Sequence, residues 1–120
     1  MQLMPATARS VARARKEVYG GANSLYDPPT NIALSATYYV NLLSRFEGNR
    51  VKALAAYNAG PSRVVRWTQK EIAVDQWVDS IPFGETREYV QAVLAYLVIY
   101  RAREAQPVSL LTASERETLY

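Results

Sequence analysis

Apolar positions recur at three- and four-residue spacing along almost the whole chain, the period of helices that bury one face. Pro5 suits the first turn of a helix running to about Tyr19, with Gly20 and Gly21 ending it. The stretch Tyr26 to Asn31 reads as a loop, because Pro28 and Pro29 lack backbone donors and bias their predecessors toward extended conformations. Ile32 to about Phe46 is expected to be helical, with Ile32, Ala36, Tyr39, Val40, Leu43 and Phe46 as one buried stripe. Gly48-Asn49 breaks it. An alanine-rich helix follows from Val51 to about Asn58, closed by Gly60, and Pro61 starts another that carries Val64, Val65 and Trp67. Between Ala73 and Phe83 the pattern is mixed, with Trp77, Val78 and Ile81 expected to pack inward. Thr86 is placed as the N-cap of a helix from Arg87 to Arg103. That helix is apolar on nearly every face, the pattern of an element surrounded by others. Pro107 onward forms a short closing segment. No alternation is long enough for a sheet, so the fold class is all-α.

Composition narrows the chemistry. In 120 residues the apolar share is 49% and the charged share 21%, which excludes intrinsic disorder and sets the expectation of one domain, or a piece of one, over residues 1–120. Cysteine and histidine are both absent, so thiolate or imidazole metal sites and Ser-His-Asp or Cys-His nucleophiles are ruled out. Carboxylates, tyrosines, lysines and backbone groups remain, and no cofactor or metal is expected. The net charge of +3 suits an acidic polymer as partner without requiring one. Arg9, Arg13 and Lys16 share a helical face with Arg15 beside it. That face is either simply solvated or a contact for an acidic envelope polymer; no helix-turn-helix, RNP or zinc pattern supports nucleic acid. The longest apolar run, Tyr89 to Tyr100, falls short of the ~20 residues of a membrane span. The opening Met1-Gln2-Leu3-Met4-Pro5 has neither the basic nor the apolar region of a signal peptide, which taken literally places the chain in the cytoplasm.

Two strings stand out. Ala56-Tyr57-Asn58-Ala59-Gly60-Pro61 puts a phenol and an amide on the last turn of a helix, among small neighbours that admit close approach. It reads either as a helix cap with a core tyrosine or as part of a cleft. Ile81-Pro82-Phe83-Gly84-Glu85-Thr86-Arg87-Glu88-Tyr89-Val90 sets Glu85 just before a helix N-terminus, where free N–H groups favour its anion. Glu85 is therefore cast as a hydrogen-bond acceptor and not a general acid, or as a plain helix-start carboxylate.

These strings, with Met1-Gln2-Leu3-Met4-Pro5-Ala6-Thr7-Ala8 and the Asp27-Pro28 to Asn31-Ile32 loop, resemble the soluble lytic murein transglycosylases in order and spacing over essentially the whole chain. Ser35 stands where the resemblance leads us to expect glycine. The resemblance implies a mostly helical, lysozyme-like domain (the goose-type lysozyme architecture) acting on the glycan strands of peptidoglycan in the periplasm or cell envelope. Such enzymes cleave the MurNAc–GlcNAc β-1,4 bond without water and leave a 1,6-anhydro end. One glutamate acts first as acid and then as base, where other glycosidases use a carboxylate pair. By motif position, Gln2 resembles the glutamine lining the sugar cleft and Met4 the methionine beside the reacting saccharide. Tyr57 resembles the tyrosine that orients the catalytic carboxylate and substrate, and Asn58 shapes the same turn. Glu85 resembles an acid that supports substrate or peptide-stem binding, with Tyr89 bracing it. Met4 and Tyr89 also fit as plain core residues.

The departure is at the front. In the family the catalytic glutamate sits in a Glu-Ser pair upstream of the Gln-Leu-Met-Pro string, and this chain opens on that string. The expectation is a domain without its general acid or the helix bearing it, inactive alone. Two readings stand: the C-terminal part of a longer secreted enzyme, or a non-catalytic glycan-binding or scaffold protein.

Overall fold

A computed structural model describes residues 5–14 and 28–120. Among these residues all regular structure is helical, in seven elements: α1 (Pro5–Ala14), α2 (Pro28–Arg45), α3 (Arg50–Ala59), α4 (Pro61–Trp67), α5 (Val74–Asp79), α6 (Gly84–Arg103) and α7 (Ala113–Glu117). None is long and apolar enough to cross a membrane. The chain divides between Asn41 and Leu42 into two compact units.

In the first unit Ala8, Val11 and Ala12 are buried at the three- and four-residue spacing of one helical face, with Arg9 and Ser10 exposed. The expected continuation to Tyr19 lies outside the described residues, as do Arg15 and Lys16 of the basic cluster. Helix α2 begins at Pro28, four positions before the expected Ile32. Pro28 and Pro29 occupy its first turn, where a missing N–H leaves no intrahelical bond unmade. The expected stripe is half wrong. Ile32, Ala36 and Val40 are exposed, while Leu34 and Ser35 are sealed and Leu42 is buried in the second unit. The helix carries apolar residues on more than one row, and periodicity alone cannot choose between rows. Ser35 suits its place because it is small and its hydroxyl donates to Asn31 Oδ1 at 3.3 Å.

In the second unit α3 is the central element. Asn49 caps it, its side chain accepting from the Lys52 N–H, and Val51, Ala53, Leu54, Ala55 and Ala56 are buried. The run of small alanine side chains lets α4 and α6 both pack closely on α3, and α5 closes against α6. Trp77, Val78 and Ile81 pack inward as the pattern requires, and the Trp77 indole donates to the Trp67 carbonyl at 2.9 Å. Two expectations for α6 need correction. Its N-cap is Phe83, so Thr86 lies within the first turn and does not cap. Nor is α6 enclosed: Thr86, Val90 and Leu94 are buried, but Tyr96, Ile99 and Tyr100 are exposed. Its apolar residues serve as a core face only along the half that meets α3.

The closing segment is held by a polar cluster that reaches back to the start of α3. Thr112 and Glu115 form a capping box for α7. The same Glu115 carboxylate accepts from the Arg50 N–H (2.8 Å), from Arg50 Nε and Nη2 (3.1 and 2.8 Å), and from the Thr112 N–H (2.8 Å). Burial pushes the Glu115 carboxyl up, but the Arg50 and Thr112 hydrogen bonds and the Arg50 charge outweigh it, and the group sits below the usual carboxylate range. Tyr120, fully buried, stacks obliquely on Trp77 and donates from its hydroxyl to the Glu115 carbonyl at 3.0 Å. That hydroxyl accepts from the Asn49 amide at 2.8 Å, while Tyr120 and Ile72 exchange backbone hydrogen bonds.

Candidate substrate-binding site

The two strings singled out in the sequence meet at one end of the second unit. The C-terminal turn of α3 supplies Tyr57 and Asn58. It stops there because Gly60 adopts φ 100°, ψ 142°, a conformation open to glycine, and Pro61 begins α4. The first turns of α6 supply Glu85, Thr86 and Tyr89. The contact that joins them is a hydrogen bond from the Thr86 hydroxyl to Asn58 Oδ1 at 2.7 Å. Beside it the Tyr57 and Tyr89 rings lie nearly parallel, 6.3 Å between centroids and 11° between planes. The Tyr57 hydroxyl oxygen is buried.

Glu85 is exposed on the α6 turn that Thr86 ties down, in the second helical position and not just ahead of the helix as the sequence led us to expect. Tyr89 packs on Tyr57. Just ahead of α6, Phe83 is exposed, with the Trp67 ring edge-on at 5.5 Å and the Arg63 guanidinium over its face at 4.9 Å. Arg87 fixes the approach to α6 by donating to the Ile81 carbonyl at 2.8 Å. Among the described residues no three Asp or Glu side chains come together as a metal site would need. The structure thus assembles Tyr57, Asn58, Glu85 and Tyr89; Gln2 and Met4 lie outside the described residues.

Sequence reasoning missed Thr86 as a member of this site. A Ser or Thr near a helix start is the usual cap signal, and nothing local shows that the hydroxyl is used on a residue 28 positions away. Thr86→Val keeps the shape and removes the donor, so Asn58 Oδ1 is left facing a methyl group. We expect a loss of about 1–2 kcal/mol in urea unfolding and near wild-type stability for Thr86→Ser; equal stability of the two variants would show that the bond carries nothing.

A family model described as the transglycosylase SLT domain matches residues 1–80. The chain belongs to that family. A second model, the soluble lytic transglycosylase helical domain, matches residues 80–108. The soluble lytic murein transglycosylase of Salmonella typhimurium is 41% identical over 100% of this chain and 19% of its own length. Two solved structures are similar. The lytic transglycosylase of Pseudomonas aeruginosa, an inactive Glu-to-Gln variant, has a TM-score of 0.89 at 45% identity over 97% of this chain and 19% of that one. The 70-kDa soluble lytic transglycosylase of Escherichia coli has a TM-score of 0.94 at 39% identity over 100% of this chain and 20% of that one. The chain therefore spans about a fifth of the length of the relatives it matches, and its helices follow the transglycosylase fold.

Proposed function

We propose that these residues form one wall of the glycan cleft of a lytic transglycosylase of the cell envelope. The observation that carries the reading is the Thr86–Asn58 hydrogen bond, which brings the Tyr57-Asn58 turn and the Glu85–Tyr89 turn into one site. Tyr57, held on Tyr89, would orient a sugar and the reacting carboxylate. Glu85, exposed beside it, would accept hydrogen bonds from the amides of the substrate. The carboxyl that does the chemistry would come from a Glu-Ser pair outside these residues. It protonates the glycosidic oxygen as the C1–O4 bond breaks. The sugar's own 6-hydroxyl then attacks C1, and the same carboxylate takes the hydroxyl proton as the C1–O6 bond closes. No water is consumed, and the glutamate returns to its starting protonation state. The inactivity of the Pseudomonas Glu-to-Gln relative supports a reaction that needs a glutamate carboxyl.

The test is binding to purified peptidoglycan sacculi in a co-sedimentation titration. Tyr57→Ala is expected to weaken binding by about tenfold, the loss of one central aromatic contact, and Glu85→Gln by a smaller factor. Binding that is indifferent to both substitutions would place the glycan site elsewhere.

A further inference from the structure

At the other end of α6 lies a hollow of about 590 Å³ that shares no residue with the site above. That volume falls within the range of ligand sites, and the lining has their usual make-up: an apolar floor with a few charged groups at the edge. Leu97, Val108 and Leu111 form the floor, and Arg50, Arg101 and Arg116 stand around it. Glu85 and Arg101 are 16 residues apart on one helix, so the two places are separated by about 24 Å along its axis.

The arginines differ in how far they are committed. Arg50 is paired with the buried Glu115 at 2.8 Å and also donates to the Leu110 carbonyl. Arg101 donates to Gln106 Oε1 at 2.9 Å and lies 3.7 Å from Glu104, a loose exposed pair. Among the described residues the exposed Arg116 side chain makes neither a hydrogen bond nor an ion pair. Two guanidiniums thus remain able to turn toward one anion, and a planar fork of N–H donors matches a carboxylate. We propose that this hollow is a binding site for a short peptide with a free carboxylate, its apolar side chains on the Leu97–Val108–Leu111 floor and its carboxylate between Arg101 and Arg116. The stem peptides of peptidoglycan are such ligands, and that part of the inference rests on the function proposed above.

The experiment is an amide-resolved NMR titration of the chain with N-acetyl-trialanine and, in parallel, with its C-terminal amide. Shifts are expected at Leu97, Arg101, Val108, Leu111 and Arg116, with the carboxylate form bound about fivefold more tightly than the amide. Arg116→Gln, an exposed change outside the core, should remove most of that preference. Equal affinity for acid and amide, or shifts elsewhere on the molecule only, would overturn the proposal. The difference in sacculus binding between the wild type and Tyr57→Ala reports on the glycan site, and the trialanine titration, which contains no sugar, reports on the hollow, so failure of one reading leaves the other measurable.

Discussion

Glu115→Ala is expected to lower the stability of the second unit by about 3–5 kcal/mol in urea unfolding, a large share of the margin of a small domain. The carboxylate is 1% exposed and accepts four hydrogen bonds from the Arg50 and Thr112 groups. Its removal takes the carboxylate from the Arg50 guanidinium and the acceptor from the Arg50 and Thr112 N–H groups, and it breaks the capping box of α7. It also loosens Tyr120, whose hydroxyl rests on the Glu115 carbonyl and whose ring covers Trp77. Glu115→Gln keeps the shape but not the charge and should fall between. The pH dependence has a definite sign. The folded carboxyl lies below its unfolded value, so its contribution is complete above the unfolded value of about 4.3 and disappears as pH falls through the folded one. The gap between the wild type and Glu115→Gln should be flat near neutrality and close in acid. A gap under about 1 kcal/mol at pH 7 would show that the cluster is ornamental.

The 120 residues assayed alone are expected to release no anhydro-muropeptides from sacculi, at least about 10²–10⁴ below a form extended upstream to include the Glu-Ser pair. A general acid at neutral pH needs a carboxyl kept protonated by burial among apolar groups. Glu85 is exposed to water. Glu115, the buried acid among the described residues, is locked as an anion by Arg50. Neither stands in apolar surroundings free of a paired cation, which this role requires. Product release by the 120 residues, measured by chromatography of anhydro ends, would contradict this; recovery of activity in the extended form and its loss on Glu-to-Gln substitution would support it.

Much of this arrangement is legible from local signals. Helix periodicity, the Asn49 and Gly60 boundaries of α3, Pro61 at the start of α4 and the inward Trp77 all follow from residues within a turn or two of one another. The strings around Tyr57 and Glu85 stand out in the sequence, and the Thr86–Asn58 hydrogen bond brings them together. What the chain alone determined, then, is that it is helical and where most helices stop, because propensity, capping and spacing act over three or four residues. Only the tertiary structure decided which row of α2 is buried, that α6 is covered along one half, and that Thr86 serves Asn58 instead of its own helix end. It also decided that Glu115 and Tyr120, 65 and 71 positions from their partners, clamp the start of α3. Those choices are settled by which surfaces meet across long stretches of chain. A hydroxyl or carboxylate then takes the partner that burial has stripped of water, and no local pattern records which one that will be.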